Sequence, residues 1–335
     1  MFSIKYRYLK LNSFNTTYKV IIFVSRLIKK NRERLYSERV IQRNKLGNTN
    51  TGFYIIRRRP TNASIFSNVN YVLQGILRAS ELKLIPVVNF QDYWTSYSKN
   101  YKLCNTWNAW EYFFRPLKEI SLNSLTKNDK LIESKGDRIL SDHWITDKQH
   151  QYIFHKSNLK LLNQLVVEYL VLQPWCVEVL SELKGIIDWD GPNTLGVSVR
   201  STFIEIEPTN EPKQPSLNML IKKIKKYLEL YDFKRGIFFA NEDLYARKII
   251  EDEFKFKVIS DFRNSAYFKN LLLKKIPNLQ TNDNSSIKIF SYLLETYLLS
   301  ETKSAILGIA NGSVFATILN NSRWENPYFF ELGTY

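Results

Sequence analysis

Short apolar runs alternate with amphipathic stretches along most of the chain. "FYIIRRRP" reads as a short strand closed by Pro60, "TNASIFSN" as a loop, and "KLIPVVNF" as a second strand. Between them "VNYVLQGILRASEL" repeats its apolar positions at helical spacing. Residues 52–90 therefore predict strand, loop, helix, strand, the βαβ unit of a parallel sheet. Residues 91–116 are dense in aromatics punctuated by Asn and Ser, and residues 121–150 are polar and irregular, with no element expected. "NLKLLNQLVVEYLVLQPWCVEVLSELKGII" is helical, broken into two by Pro174. "DWDGPN", residues 188–193, is a turn cluster and a candidate domain junction.

The second half repeats the alternation. "TLGVSVR", "GIFFAN", "FKVIS" and "SAILGIA" read as four buried strands. They alternate with helices in "PSLNMLIKKIKKYLELY", "EDLYARKIIEDEF", "SSIKIFSYLLETYLLSET" and "NGSVFATILNN", the last starting near Val314. That pattern predicts a complete Rossmann-type domain. The expected fold class is α/β, with two facing Rossmann-like domains at 51–190 and 191–335 behind an N-terminal extension, 1–50.

Composition supports a full core in a chain of 335 residues: 44% are hydrophobic and 14% aromatic, with few Gly and Pro. No period of 20–50 residues indicates a solenoid. Cys104 and Cys176 form no CxxC pair and read as buried, reduced thiols of a cytosolic protein. With His143, His150 and His155 they offer little for a zinc site. The net charge of +16 is unevenly spread, since residues 1–47 carry twelve Lys and Arg against Glu33 and Glu38. Three readings compete for this basic extension: an anionic membrane surface, nucleic acid, or a solvated tail. Its longest apolar run, Val20–Val24, is too short to span a bilayer, which needs about 20 apolar residues, and no secretory cleavage site follows. A short helix on the cytoplasmic membrane face fits the basic flanks; a helix packed on the body, its charges in water, fits them equally. Nucleic acid is disfavoured, because the excess lies off the folded body and no RNA or DNA motif appears. A hydrolase is disfavoured too, for want of a Gly-x-Ser-x-Gly elbow.

Ligands of open parallel sheets bind at the carboxyl ends of the strands. The first strand of the second half ends at Arg200, followed by Ser201 and Thr202. The second ends in Asn241, Glu242 and Asp243, and the last in Asn311, Gly312 and Ser313 before a helix. A guanidinium binds phosphate with two parallel N–H bonds. A helix start offers N–H groups and a favourable dipole to an anion, and Gly312 would admit it close to the backbone. Glu242 or Asp243 could accept from a ribose or base. Each motif alone has a plainer reading: a surface ion pair for Arg200, and N-capping for "NGS" and "NED". Together they predict a site for a nucleoside diphosphate.

The order "LGVSVRST", "GIFFANEDLYARKIIEDEF", "LLSETKSAILGIANGSVFATIL" resembles the donor-binding half of the fucosyltransferase superfamily, which includes nodulation α1,6-fucosyltransferases and protein O-fucosyltransferases. "SIFSNVNYVLQGILRASELKLIPVVNF" resembles the family's opening loop, helix and strand, and "NTWNAWEYFFRP" an aromatic stretch of bacterial relatives, so the likeness spans roughly 52–322. The resemblance implies two Rossmann-like domains of the GT-B type. It also implies a transferase that moves a sugar from a GDP-sugar, inverting the anomeric carbon without a metal or further cofactor. Arg200 would match the phosphate-binding arginine, Ser313 the serine near the diphosphate, and Asn68 the opening-loop asparagine beside the donor. Asn241 and Asp243 would match the second strand end. The acceptor would be a surface polysaccharide or lipid-linked glycan.

Two positions depart from the pattern: Ser198 stands where the family has histidine, and Phe203 where it has aspartate, while Thr202 is retained. A changed donor sugar, or a relative that binds without transfer, are the readings these replacements open. No Asp-x-Asp motif is present to hold a divalent cation on the diphosphate, so Arg200 and helix-end N–H groups would stabilise the leaving group. Asp92, Glu111 and Glu205 are candidate bases for the acceptor hydroxyl. The aromatic run of 91–116 serves as core or as a sugar-stacking surface.

Overall fold

The computed structural model describes residues 38–42, 52–91, 95–126, 129–136, 139, 155–200, 212–241, 243–254, 258–259 and 265–334. Asp92, Thr202, Phe203, Glu205, Glu242 and the extension before Glu38 lie outside them. Two sheets organise the chain. The first has the order β1-β4-β2-β3, from β1 (Glu38–Gln42), β2 (Gly52–Ile56), β3 (Ile85–Val88) and β4 (Lys130–Ser134). β2 is parallel to β3 and β4, while β1 is an antiparallel edge on β4. The second has the order β7-β6-β5-β8-β9 and is wholly parallel. Its strands are β5 (Thr194–Ser198), β6 (Gly236–Phe239), β7 (Val258–Ile259), β8 (Ser304–Gly308) and β9 (Tyr328–Phe330). In chain order this is 3-2-1-4-5, the Rossmann arrangement, whose order reverses between β5 and β8.

Eight α-helices cover the sheets among the described residues: α1 (Ile65–Glu81), α2 (Lys156–Tyr169), α3 (Pro174–Ile186), α4 (Leu217–Leu230), α5 (Leu244–Glu253), α6 (Ala266–Lys275), α7 (Asn284–Ser300) and α8 (Asn311–Asn320). Local chemistry sets their starts. Pro174 opens α3 at a position that needs no N–H donor. Ser216, Asp243, Ser265 and Asp283 cap α4, α5, α6 and α7 by accepting first-turn N–H groups. Asn321, with φ of 52°, ends α8 in the left-handed conformation that asparagine tolerates.

Alternation along the second sheet divides the core. Leu195, Val197, Ile237, Phe239 and Ile306 face α4 and α5, whereas Phe238, Ala305 and Leu307 face the opposite way, toward α7 and α8. The latter cluster continues into the first half through Tyr54, Ile56, Val72, Phe113 and Val179. α8 packs against α7, α1 and α2, carrying the second half's last helix into the core of the first. At the centre Phe66 stacks on Phe315 with centroids 5.0 Å apart and meets Tyr292 edge-on at 4.8 Å.

The structure corrects the sequence reading in several elements. "TNASIFSN" is not all loop, because α1 starts at Ile65 with Phe66 in the core. The irregular stretch 121–150 contains β4, whose Glu133 is 2% exposed and paired with Arg39 and Arg57 at 3.0 and 3.1 Å. The second half has five strands, not four, because β9 adds an edge, and α6 is a further helix. β1 lies in the segment read as extension. Its Glu38 takes two bonds from the Arg78 guanidinium at 3.0 and 3.2 Å and one from the Tyr54 hydroxyl at 2.8 Å. Cys176 is buried and Cys104 half-buried, neither in a disulfide. Of the aromatic run, Tyr97, Trp110, Tyr112, Phe113 and Phe114 are core, and Trp107 is 48% exposed.

One carboxylate fastens the aromatic loop to α7. Asp283 accepts from Lys99 Nζ at 2.8 Å, Tyr101 Oη at 2.7 Å and Ser286 N–H at 3.0 Å. Burial pushes its carboxyl up, but bonds from Lys99, Tyr101 and Ser286 outweigh this and hold it well below the usual carboxylate range. A depressed folded value means that the stabilisation is full above the unfolded carboxylate value of about 3.9 and is lost as pH falls below it. Asp283→Asn is therefore expected to cost about 2 kcal/mol at pH 7. As pH falls from about 4 toward the depressed folded value, the difference in thermal unfolding from the wild type should shrink progressively.

Candidate functional site

The strand order of the second sheet reverses between β5 and β8, the point beyond whose carboxyl ends open α/β sheets bind ligands. Arg200, two residues past β5, is exposed there. On the other side of the reversal β8 turns directly into α8, which starts at Asn311 and not near Val314. The first-turn N–H groups of α8, at Asn311, Gly312 and Ser313, thus end at the same sheet edge as Arg200. Of the sequence candidates, Arg200, Asn311, Gly312, Ser313 and, one strand over, Asn241 and Asp243 share that edge.

Several of their side chains are engaged by the fold itself. The Ser313 hydroxyl accepts from Ala310 N–H at 3.0 Å and reaches the Gly308 carbonyl at 2.5 Å, so it builds the turn. Asp243 accepts from the N–H groups of Tyr245 and Ala246 at 2.9 and 3.2 Å, which is N-capping of α5. Asn241 accepts from Asp243 N–H at 2.7 Å, and its carbonyl takes a bond from Arg247 Nη2 at 2.7 Å. Packing also constrains Gly312. A Cβ there would lie 2.2 Å from Tyr292 Oη, so its small size admits a tyrosine of α7.

The first half meets this edge through α1. Asn70 Nδ2 donates to Asn311 Oδ1 at 3.0 Å, joining α1 to the first turn of α8. Asn68 is fully buried and lies behind the surface. Its amide donates to Tyr97 Oη at 3.0 Å and accepts from Arg58 Nη1 at 3.1 Å. Arg58 also donates to Ser67 Oγ at 3.1 Å and lies 5.2 Å from the Tyr71 ring centroid. This half-buried guanidinium therefore meets only neutral acceptors among the described residues. Two buried amide atoms, Asn70 Oδ1 and Asn241 Nδ2, have no hydrogen-bond partner, a condition that costs about 1–3 kcal/mol for each such atom.

Glu111, a candidate base, accepts from Thr106 Oγ1 at 2.9 Å and Asn108 Nδ2 at 3.0 Å. Asn108 in turn grips Val88 O and Phe90 N–H, which keeps the loop at the carboxyl end of β3. No group of three His, Cys, Asp or Glu among the described residues could hold a metal ion, and no described helix is long and apolar enough to cross a membrane.

With this geometry in hand, comparison with solved structures decides the fold. A NodZ α-1,6-fucosyltransferase crystal soaked with GDP-fucose aligns over 84% of this chain and 96% of its own, with a TM-score of 0.50 and 14% identity. The chain has a fucosyltransferase-like fold. A NodZ structure co-crystallised with GDP (TM-score 0.46, 15% identity) covers 81% of this chain and 92% of its own. The Bradyrhizobium enzyme (TM-score 0.47, 14% identity) covers 81% and 93%. No family model matches the sequence, and no curated protein does.

Residues that sequence reading missed are Gln214, Arg58, Asn70 and Tyr292. Arg58 follows a predicted strand, so the strand-end rule could have found it; the other three carry no local signal. Gly312→Ala is expected to destabilise the fold by about 1–3 kcal/mol through the clash with Tyr292, read as a lowered midpoint of thermal unfolding.

Proposed function

We propose that the protein is a glycosyltransferase using a GDP-sugar donor, with fucose the donor sugar that the fold's likeness favours. The observation that carries this reading is the pairing of an exposed arginine, Arg200, with the α8 amino terminus across the order reversal of a Rossmann sheet. Supporting it is the fold shared with a fucosyltransferase whose crystal was soaked with GDP-fucose. In the proposed reaction an acceptor hydroxyl attacks the anomeric carbon and the bond from that carbon to the β-phosphate oxygen breaks. The sugar is inverted, and GDP leaves with the electron pair. The Arg200 guanidinium and first-turn N–H groups of α8 stabilise the charge that develops on the leaving diphosphate, with no metal needed. The hydroxyl proton passes to a carboxylate, of which Asp92, Glu111 and Glu205 are the candidates.

The acceptor is a glycan or lipid-linked glycan. The basic segment 1–47 would hold the enzyme at the cytoplasmic face of an anionic membrane where such acceptors are made. A second reading, binding without transfer, is favoured by Ser198 in place of the family histidine at the end of β5. Calorimetric titration separates the readings. GDP is expected to bind more tightly than UDP or CDP, indifferently to EDTA, and Arg200→Ala to weaken it by about 10- to 100-fold. Binding of GDP-fucose with neither hydrolysis nor transfer would select the second reading. Failure of every nucleotide to bind would sink both.

A further inference from the structure

Gln214 lies just beyond the segment that separates Arg200 from α4, and its side-chain amide makes three bonds. Oε1 accepts from Arg200 N–H at 3.0 Å. Nε2 donates to Ile309 O at 2.9 Å and to Pro212 O at 3.2 Å. Ile309 is the first residue after β8, so one amide ties the end of β5 to the β8–α8 turn across the point where the strand order reverses. Both ends of the Gln214 amide are used, and its own backbone is anchored next door. Lys213 N–H donates to Gly333 O at 2.8 Å, and Pro212 bridges to Thr334. β8 makes room for it. A Cβ on Gly308 would lie 2.2 Å from Gln214 Oε1, so glycine is needed for the amide to reach between the strands.

We infer that Gln214 is a positioning residue that sets the distance between Arg200 and the amino terminus of α8 for a diphosphate held between them. The inference rests on the diphosphate reading of Arg200 and adds to it a residue that touches no ligand. Arg200 lies beyond the last ladder pair of β5, and its N–H bonds to Gln214; a displacement of 1 Å at such a group is worth up to about a hundredfold. Gln214 accepts that bond and refers it to the β8–α8 turn across the strand-order reversal.

The test is a double-mutant cycle on the full chain, with the Kd for GDP measured by calorimetry or competition up to millimolar nucleotide. Gln214→Met keeps nearly the same shape and removes all three bonds. It should raise the Kd about tenfold with Arg200 present and less than twofold in the Arg200→Ala chain. Gly308→Ala provides a second route. Crowding the amide out should weaken GDP to a similar degree, and adding Gln214→Ala should cause no further loss. A merely structural role predicts a lowered unfolding midpoint with unchanged affinity, or equal losses in both Arg200 backgrounds. Either result overturns the inference while leaving the diphosphate reading intact. If wild-type protein does not bind GDP, the diphosphate reading fails, and this inference with it.

Discussion

Close packing of α8 is the constraint on which the rest of the structure depends. The helix begins at the edge of the second sheet and runs into the core of the first half, against α1, α2 and α7. Phe315 must meet Phe66, Tyr292 must pass over Gly312, and Asn311 must receive the Asn70 amide. None of these contacts tolerates a shift of a methylene without loss. The amino terminus of α8 is therefore fixed relative to both halves. Its first-turn N–H groups are held in place and do not belong to a frayed helix end.

The electrostatic arrangement follows from the same packing. Two carboxylates among the described residues are consumed by the fold: Glu133 by Arg39 and Arg57, and Asp283 by Lys99. Arg58 meets neutral oxygens and a tyrosine face. A charged group surrounded by dipoles is half solvated, and it gains most from an anion that replaces the remaining water. Arg200 and Arg58 thus place a guanidinium just beyond a strand end in each half.

How much of this was legible in the sequence depends on where each signal resides. The strands of the second sheet are legible because a parallel strand buried on both faces is a plain apolar run, as in "TLGVS" or "SAILG". β4, "KLIES", is not: it carries charges at Lys130 and Glu133, and only pairing with β1 and β2 makes it a strand. β9 is a three-residue edge, "YFF", beyond the reach of periodicity. α6 did hold a readable spacing, with Phe268, Leu271 and Leu272 buried. Within the site, Arg200 follows from the rule that ligands meet strand ends. Gln214 does not, because its partners are backbone atoms that only the folded topology brings within reach. Gly312 shows the opposite failure. Its smallness was readable, but the sequence could not say that Tyr292 lies where a Cβ would stand.

The departures from the family pattern bear unequally on the proposed chemistry. The Ser313 hydroxyl is already committed to the Gly308 and Ala310 backbone. What the α8 turn offers an anion is therefore main-chain N–H, which any sequence supplies once the turn is built. Arg200 is anchored through its own N–H to Gln214, so its placement does not require the aspartate that Phe203 replaces. Diphosphate recognition on this reading is a property of the backbone, one guanidinium and one amide, and the replacements leave all three in place. Ser198 lies at the last residue of β5, half-buried, where a hydroxyl stands in for an imidazole. A hydroxyl both donates and accepts but reaches less far than a ring and carries no charge. On the GDP-sugar reading, the exchange would bear on the neutral, polyhydroxy part of the donor. Divergence at Ser198 therefore argues for a change in the sugar, and much less for loss of the nucleotide.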